Sequence, residues 1–332
     1  MARALSTIGY SLDVNMPNVF ELIRHSGANR IGLQAPEGLK RALSEIAREI
    51  SEKTDVEVII SGDPCFGACY IDLTLCEEVD LLFHLGHSEL ETCPDNVIFL
   101  EARMDVDINK VVKKALPLIK SDHVVLATTV QHVHKLNQAL EILENNKIKW
   151  LIGSGCGRVK YSGQVLGCCY CSARDLDADE VLFIGTGKFH PLGIAIATGK
   201  TVIAADPVTS DASIIDPNPM LKQRFGTLMR AKHAMKFAIL VSKKPGQRRW
   251  KLANQIKKLG EAARREMLLI YIDNVEPDQL LNLGIEAAIS TACPRVALDD
   301  IAKFKIPVLT PPEFEILQGV RRWEDYIFDE IA

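Results

Sequence analysis

The sequence predicts an α/β protein of three Rossmann-like parallel-sheet domains in a pseudo-threefold arrangement around a central site. Two observations support this prediction. Strand and helix patterns alternate in three rounds of about 100 residues each, which is a degenerate internal repeat. The strands are short and rich in Val, Ile and Leu with little alternation, as in parallel sheets covered on both faces.

The first round contains four predicted strands and one amphipathic helix that opens at Pro36 and runs to about Glu52. The strands are Arg30–Gln34, Val56–Ser61, Asp80–Leu85 and Asn96–Leu100. The second round repeats this order with a helix over Gln131–Asn145. Its strands are Val124–Thr128, Trp150–Gly153, Val181–Gly185 and Val202–Ala205.

The third round has helices over Arg249–Leu259 and Pro277–Leu283. Its strands are Phe237–Val241, Leu268–Ile272, Ala287–Ser290 and Val308–Leu309. We place the domains at 1–103, 104–206 and 207–332, with the proline-containing Asp206–Pro219 stretch as the linker before the third. Each round forms a βαβ-type unit with right-handed crossovers.

The composition is that of a soluble protein. The 332 residues are 47% hydrophobic, and the net charge of −4 gives no support to direct nucleic-acid or membrane binding. The N-terminus lacks the long apolar run of a secretory signal, and no stretch approaches the roughly 18 apolar residues of a membrane span. We therefore expect a cytoplasmic location, where nine cysteines are ligands, reactive groups or buried side chains more often than disulfides.

Three cysteines, Cys69, Cys168 and Cys293, each lie in a Gly- or Pro-containing turn after a predicted strand. Ligands of open α/β sheets bind beyond the carboxyl ends of strands, so three inward-facing domains would bring these loops together. Three thiolates would hold an iron–sulfur cluster and leave one iron open, whereas a fully structural cluster usually takes four. The predicted central site is therefore an iron–sulfur site.

Other metal sites stay open at this stage. Cys65-x3-Cys69 with Cys168-x2-Cys171 supplies the four thiolates of a structural zinc site, but about 100 residues intervene and Cys293 stays unexplained. The Cys-x3-Cys-x2-Cys spacing of conventional radical enzymes is absent. A buried small side chain is the simplest interpretation of Cys76, Cys93 and Cys156.

Two further loops follow strands. Gly185, Gly187 and His190 lie in a short Gly-rich turn that opens a helix and either binds a carboxylate or ribose or is a plain tight turn. Gln34 and Glu37 lie after the first strand; Glu37 either faces the cavity or interacts only with the helix dipole. The nearby Gly199-Lys200 pair resembles part of a P-loop but precedes a strand, so we predict a helix C-cap there.

The third round supplies polar candidates. The basic turn Lys243–Arg249 contains Gln247 and is either a solvated charge run or a site for a substrate carboxylate or protein partner. Arg295 is a candidate for a carboxylate, and Asp299 either caps a helix or accepts hydrogen bonds from a bound amine. No Ser/His/Asp set or carboxylate pair stands out, so no catalytic residue is assigned beyond the cluster.

Several motifs resemble those of the diphthamide synthase radical enzymes. The three cysteine motifs are Phe66-Gly-Ala-Cys69, Gly163-Gln-Val-Leu-Gly-Cys168 and Cys293-Pro-Arg-Val-Ala-Leu-Asp-Asp300. Gln34-Ala-Pro-Glu-Gly-Leu39 and Gly185-Thr-Gly-Lys-Phe-His-Pro191 are similar to further motifs of that family. The resemblance covers essentially the whole chain, and its length and lack of extra domains resemble the archaeal, homodimeric form.

The resemblance implies one [4Fe–4S] cluster with Cys69, Cys168 and Cys293 as its ligands. It implies that the 3-amino-3-carboxypropyl group of S-adenosylmethionine is transferred by radical chemistry to a histidine of translation elongation factor 2, with release of methylthioadenosine. It also implies a homodimer and an electron donor that the sequence does not identify. The additional Cys65, Cys169 and Cys171 are more cysteines than the motifs require.

Two rival functions remain at this stage. A quinolinate synthase-like [4Fe–4S] dehydratase also has three domains and three cysteine ligands, although its motifs match poorly. A zinc-stabilised binding module without catalytic activity is the other. Colour under anaerobic conditions separates the last from both cluster enzymes, because a cluster is brown and zinc is colourless.

Overall fold

The computed structural model describes residues 3–7, 10–90 and 93–331. Within these residues sixteen strands and eleven α-helices alternate along the chain. The strands are β1 (Arg3–Thr7), β2 (Tyr10–Val14), β3 (Arg30–Gln34), β4 (Glu57–Ile60), β5 (Leu81–Leu85), β6 (Val97–Leu100), β7 (Arg103–Met104), β8 (His123–Thr128), β9 (Lys149–Leu151), β10 (Glu180–Ile184), β11 (Thr201–Asp206), β12 (Asp211–Ile214), β13 (Lys236–Ser242), β14 (Glu266–Ile272), β15 (Ala287–Ser290) and β16 (Val308–Leu309).

The helices are distributed among the strands, and short 3₁₀ turns precede several of them. They are α1 (Met16–Ser26), α2 (Lys40–Lys53), α3 (Leu73–Glu78), α4 (Asn109–Ala115), α5 (Leu136–Asn145), α6 (Phe189–Thr198), α7 (Asn218–Ala231), α8 (Trp250–Ala262), α9 (Pro277–Asn282), α10 (Pro294–Leu298) and α11 (Pro311–Leu317). In the described part of the chain no helix is long and apolar enough to cross a membrane.

Three of the sheets are parallel or nearly so, which confirms the predicted fold class. The first has the order β4-β3-β5-β6 and the third the order β14-β13-β15-β16, with parallel pairs throughout. The second has the order β12-β11-β10-β8-β9, in which only the edge strand β12 is antiparallel. The pattern of short, continuous apolar strands predicted these sheets because both of their faces are covered.

Several features differ from the prediction. A small antiparallel sheet, β1-β2-β7, was not expected, and neither were the helices α1, α3, α4, α7 and α11. The Asp206–Pro219 stretch was expected to be a linker, but its first half turns back and adds β12 to the second sheet, with Ser210 at φ 54° in the turn. The predicted C-cap at Gly199 is confirmed, since this glycine follows α6 with φ 69°.

The chain forms two compact units. The first contains Met1–Leu166, Cys171–Pro191 and Lys200–Ile214, and so holds the first and second parallel sheets. The second contains Gly167–Tyr170, Leu192–Gly199 and Ile215–Ala332, and so holds the third sheet. The three predicted domains, with boundaries near Arg103 and Asp206, stay a prediction.

Apolar residues line both faces of the third sheet. Ile239, Val241 and Phe314 belong to the cluster on one face, and Leu240 and Val308 to the cluster on the other. All five side chains are fully buried. This double coverage explains why the strands show no alternation of apolar and polar residues.

A fully buried ion pair crosses the second unit. Arg224 on α7 donates from Nε and Nη2 to the two carboxylate oxygens of Glu313 on α11, at 2.7 and 2.6 Å. Its remaining donors reach the carbonyl oxygens of Ala297 and Val308, at 2.5 and 2.7 Å. Ala297 lies on α10, which directly follows Cys293, so this arginine fixes the helix that begins at a predicted ligand.

We expect Glu313→Gln to lower the free energy of unfolding by about 3–5 kcal/mol, because it leaves the buried Arg224 charge uncompensated. Urea denaturation measures this change. Glu315→Gln is the matched control on the same helix: its partner Arg321 is partly exposed, so removing that pair should cost about 1 kcal/mol or less. A loss below about 1 kcal/mol in Glu313→Gln would contradict the structural role given to the buried pair.

Candidate functional site

The loop that carries Cys69 follows β4. Gln34, the last residue of β3, hydrogen-bonds to the backbone of this loop. The Gln34 amide nitrogen donates to the carbonyl oxygen of Tyr70 at 2.8 Å, and its Oε1 accepts from the backbone N–H of Asp72 at 3.2 Å. Gln34 is only 2% exposed, so both of its polar groups must be satisfied by protein partners. This predicted site residue therefore lies directly under the Cys69 loop and sets its path.

The start of the same loop is held by a lysine. Lys40 donates from Nζ to the carbonyl oxygens of Gly62 and Asp63, at 2.8 and 3.0 Å. Glu37, an exposed side chain in the 3₁₀ turn before α2, pairs with Lys40 at 2.7 Å. The observed partner of Glu37 is thus a residue that orders the Cys69 loop.

Two imidazoles extend the network beneath the loop. The distances are 3.1 Å from His84 Nδ1 to Gln34 Oε1 and 2.9 Å from His84 Nε2 to His87 Nδ1. Because Oε1 only accepts, His84 carries its proton on Nδ1 and accepts from His87 at Nε2. Burial lowers the pKa of His84 to about 3, with a smaller contribution from His87, and lowers that of His87 to about 4. Both rings are therefore neutral near pH 7.

Cys65 is buried and belongs to the same network of side chains. Its Sγ lies 4.0 Å from His84 Nε2, and the donor atoms of Cys65, His84 and His87 all lie within 4.8 Å of one another. Burial raises the pKa of the Cys65 thiol to about 12, so it stays protonated. These three side chains are a conceivable metal-binding set, but here they hydrogen-bond among themselves and to Gln34. Cys69, in contrast, is only half-buried.

His84 and His87 are site residues to which no sequence motif assigned a role. The contact that gives them one joins residues 50 positions apart, so no local pattern signals it.

The Gly185–His190 turn has the geometry of a tight βα connection. Gly187 has φ 77°, and its backbone N–H points at Oδ2 of Asp206 at 3.4 Å. Gly185 donates to the carbonyl oxygen of Ala205 at 3.1 Å, and the ring of His190 stacks on Phe183 with centroids 6.1 Å apart. The Gly187 amide faces a carboxylate oxygen, which is compatible with both of the open interpretations of this turn.

In the second unit, Cys168 and Cys293 both lie near one phenol. Tyr170 is fully buried and donates its hydroxyl to the carbonyl oxygen of Gly167 at 3.2 Å. Burial raises the pKa of Tyr170 well above its ordinary value, and the charges of Cys168, Asp299 and Cys293 raise it further while Arg295 opposes them. The charges of Cys168 and Cys293, two predicted ligands that are more than 100 positions apart, therefore both act on the same phenol.

Cys293 is the residue that precedes α10. Its carbonyl oxygen accepts from the backbone N–H of Val296 at 3.1 Å and from the hydroxyl of Ser290 at 3.3 Å. One turn further on, Arg295 pairs with Asp299 at 2.7 Å, and partial burial raises the pKa of the Asp299 carboxyl. The two predicted substrate contacts in this motif therefore contact each other.

The basic turn is not fully solvated. Lys244 is 6% exposed and donates to the backbone and side chain of Asp273, at 2.7 and 2.5 Å. Gln247 is 3% exposed, with its Oε1 3.4 Å from the hydroxyl of Ser242. Arg249 binds Asp329 through two hydrogen bonds of 2.7 Å. The interpretation of the turn as a solvated charge run is wrong for Lys244 and Arg249, because their charges are paired inside the fold.

Comparisons with known proteins show the family of this chain. Residues 35–327 match the family model described as "Putative diphthamide synthesis protein". The chain is 39% identical over 328 residues to 2-(3-amino-3-carboxypropyl)histidine synthase of Pyrococcus horikoshii, covering 96% of this chain and 94% of that protein. It is 29% identical to the protein of the same name from Methanocaldococcus jannaschii, covering 91% and 87%.

A solved structure gives the same result. The fold matches the crystal structure of Dph2 from Pyrococcus horikoshii with a 4Fe-4S cluster, at a TM-score of 0.91 and 38% identity over 97% of this chain and 95% of that one. A protein of this fold and cysteine pattern is of the diphthamide synthase class. The chain belongs to the diphthamide synthesis protein family.

We expect Gly193→Ala to destabilise the second unit by about 1–3 kcal/mol, the usual cost of overpacking a filled core. A Cβ at Gly193 would lie 1.9 Å from the hydroxyl of Tyr170, which would have to move. Gly226→Ala is the matched helical control, because nothing lies within 4 Å of its Cβ. The control should be neutral or up to about 1 kcal/mol more stable. Equal thermal stability of the two variants would contradict this packing.

The buried imidazoles predict a pH effect. Their folded-state pKa lies below the ordinary 6.5, so below pH 6.5 the unfolded chain binds more protons and the free energy of unfolding falls as pH falls toward 4. Between about pH 7 and pH 5, His84→Gln should therefore lose about 2 kcal/mol less than the unsubstituted protein. Urea midpoints at several pH values measure this difference. Parallel pH profiles would show that His84 is not buried in neutral form.

Proposed function

We propose that the protein transfers the 3-amino-3-carboxypropyl group of S-adenosylmethionine to a histidine of translation elongation factor 2. In this proposal Cys69, Cys168 and Cys293 hold one [4Fe–4S] cluster. The observation that carries the proposal is membership of a family whose archaeal relatives are named as the histidine synthase and include a protein solved with a 4Fe-4S cluster. The reaction would be the first step of diphthamide formation.

The donor set fits such a cluster. Thiolates are the usual protein ligands of iron–sulfur clusters, and all three cysteines are half-buried, in contrast to the buried, protonated Cys65. The charges of Cys168 and Cys293 both raise the pKa of the Tyr170 hydroxyl. The chemistry that a bound cluster supplies is one-electron reduction of the sulfonium, which breaks a carbon–sulfur bond and gives the 3-amino-3-carboxypropyl radical.

The chain's own task is positioning. Gln34 and Lys40 fix the backbone on either side of Cys69 through four hydrogen bonds to the loop. Tyr170 fills the space beside the Cys168 loop and excludes water there, because it is fully buried. Rigid ligand loops of this kind favour cleavage of one of the three carbon–sulfur bonds, since orientation decides which bond is aligned for reaction.

The contacts to S-adenosylmethionine remain part of the proposal. The candidates share a polar group or a permissive backbone near the end of a strand; they are Gln34, Glu37, Gly185, Gly187, His190, Gln247, Arg295 and Asp299. Arg295 is the best placed to bind the methionine carboxylate, because it is exposed and close to Cys293 in the chain. Such binding requires Arg295 to exchange its Asp299 partner for the substrate.

We expect Cys168→Ala and Cys293→Ala each to lose the iron and to reduce transfer by more than about 100-fold, beyond the usual effect of losing an outer-shell group. Iron content and transfer of label from carboxyl-labelled S-adenosylmethionine to elongation factor 2 under anaerobic, reducing conditions are the two measurements. Cys93→Ala is the control, since the Cys93 thiol donates to Glu89 and Cys93 lies in none of the three cysteine motifs. Full iron and activity in Cys293→Ala would disprove the ligand assignment.

The same assay separates the chemistry from its rivals. Release of methylthioadenosine together with labelled factor supports the proposal, whereas release of 5′-deoxyadenosine indicates conventional radical cleavage. The proposal also includes a homodimer in the cytoplasm and an external electron donor. Light scattering coupled to size-exclusion chromatography tests the dimer.

A further inference from the structure

Residues 328–331, which we call the 328–331 segment, are packed into the second unit although they lie outside the residues that the family model matches. Phe328, Asp329 and Ile331 are only 4%, 6% and 4% exposed. The last helical element before the segment is the 3₁₀ turn Trp323–Asp325. The segment itself therefore has no helix or strand that would fix its position. Its position therefore depends on specific contacts.

One set of contacts reaches the loop that carries Cys168. The backbone N–H of Ile331 donates to the carbonyl oxygen of Cys168 at 2.8 Å. The backbone N–H of Tyr170 donates to Oε1 of Glu330 at 2.6 Å. The rings of Tyr170 and Phe328 meet edge to face with centroids 5.2 Å apart. Three residues of the segment thus contact Cys168 itself and Tyr170, two positions after it.

A second set reaches the loop before Cys293 through Arg249. The guanidinium donates to the carbonyl oxygens of Thr291 and Ala292, at 2.8 and 3.0 Å. It also donates to both carboxylate oxygens of Asp329 at 2.7 Å and to the carbonyl oxygen of Glu330 at 3.3 Å. A guanidinium has five N–H donors, and these five acceptors use all of them. All N–H groups of the Arg249 guanidinium are therefore hydrogen-bonded within the protein.

We propose that the 328–331 segment and Arg249 together are a positioning device that holds the Cys168 loop in register with the Cys293 loop. The inference rests on the proposed function only for the statement that both cysteines are cluster ligands. Asp329 is the key residue, because its bidentate, buried pair with Arg249 joins the segment to the Cys293 side. A cluster bound by two such loops requires that their separation be fixed before the iron arrives.

The test compares Asp329→Asn with Asp325→Asn. Both changes remove one carboxylate charge from a two-contact arginine pair, but the Asp325–Arg322 pair is exposed. Hydrogen–deuterium exchange of cluster-free protein is measured over residues 165–172 and 289–296. Asp329→Asn should speed exchange in both ranges by about tenfold, because it weakens a charge-assisted pair that both loops depend on. Asp325→Asn should leave both unchanged.

A second readout follows iron. After anaerobic reconstitution, Asp329→Asn should release iron to a chelator several times faster than Asp325→Asn, at unchanged secondary structure by circular dichroism. If even the unsubstituted protein binds no iron, the proposed function fails, while the exchange measurement still decides the role of the segment.

Exchange that increases only within residues 328–331, or in neither cysteine range, would overturn the proposal. If Asp329→Asn unfolds the protein, Arg249→Lys replaces it in the same measurement. Lysine keeps the charge but lacks the planar fork, so it should loosen both cysteine ranges in a folded protein. Unchanged exchange in folded Arg249→Lys would also overturn the proposal.

Discussion

The architecture of the candidate site depends on one constraint: a polar side chain that is buried must find hydrogen-bond partners within the protein. Gln34, Arg224 and Arg249 are all largely buried, and each meets this requirement in part by binding backbone groups. Gln34 binds the backbone just after Cys69, Arg249 binds the backbone just before Cys293, and Arg224 binds the helix α10 that Cys293 precedes. Burial of these few side chains therefore helps to define the path of the chain around Cys69 and Cys293.

The same constraint separates the cysteines by chemistry. Cys65 is buried against neutral His84, and the low polarity around it keeps the thiol protonated. Cys69, Cys168 and Cys293 lie in the half-buried parts of their loops, where a thiolate is less costly. Cys65 and Cys69 are only four positions apart, but Cys65 is buried in the core whereas Cys69 is only half-buried.

Much of the fold could be predicted from the sequence because buried parallel strands have a composition of their own. The strands Arg30–Gln34, Ala287–Ser290 and Val308–Leu309 were predicted with the bounds that the structure gives them. The partners of the site residues could not be predicted, since Arg249 and Asp329 are 80 positions apart and Tyr170 and Glu330 are 160. No periodicity joins residues so distant, so no local pattern in the basic turn indicates that Arg249 is paired inside the fold.

The central proposal for this protein is that three cysteines far apart in sequence bind one iron–sulfur cluster. Anomalous diffraction at the iron edge, from crystals grown without oxygen, tests it most directly. We predict one cluster of iron atoms in which three irons each lie within bonding distance of one Sγ atom, those of Cys69, Cys168 and Cys293. Iron bound by Cys65, His84 and His87 instead, or a site that lacks any one of the three predicted thiolates, would contradict the claim.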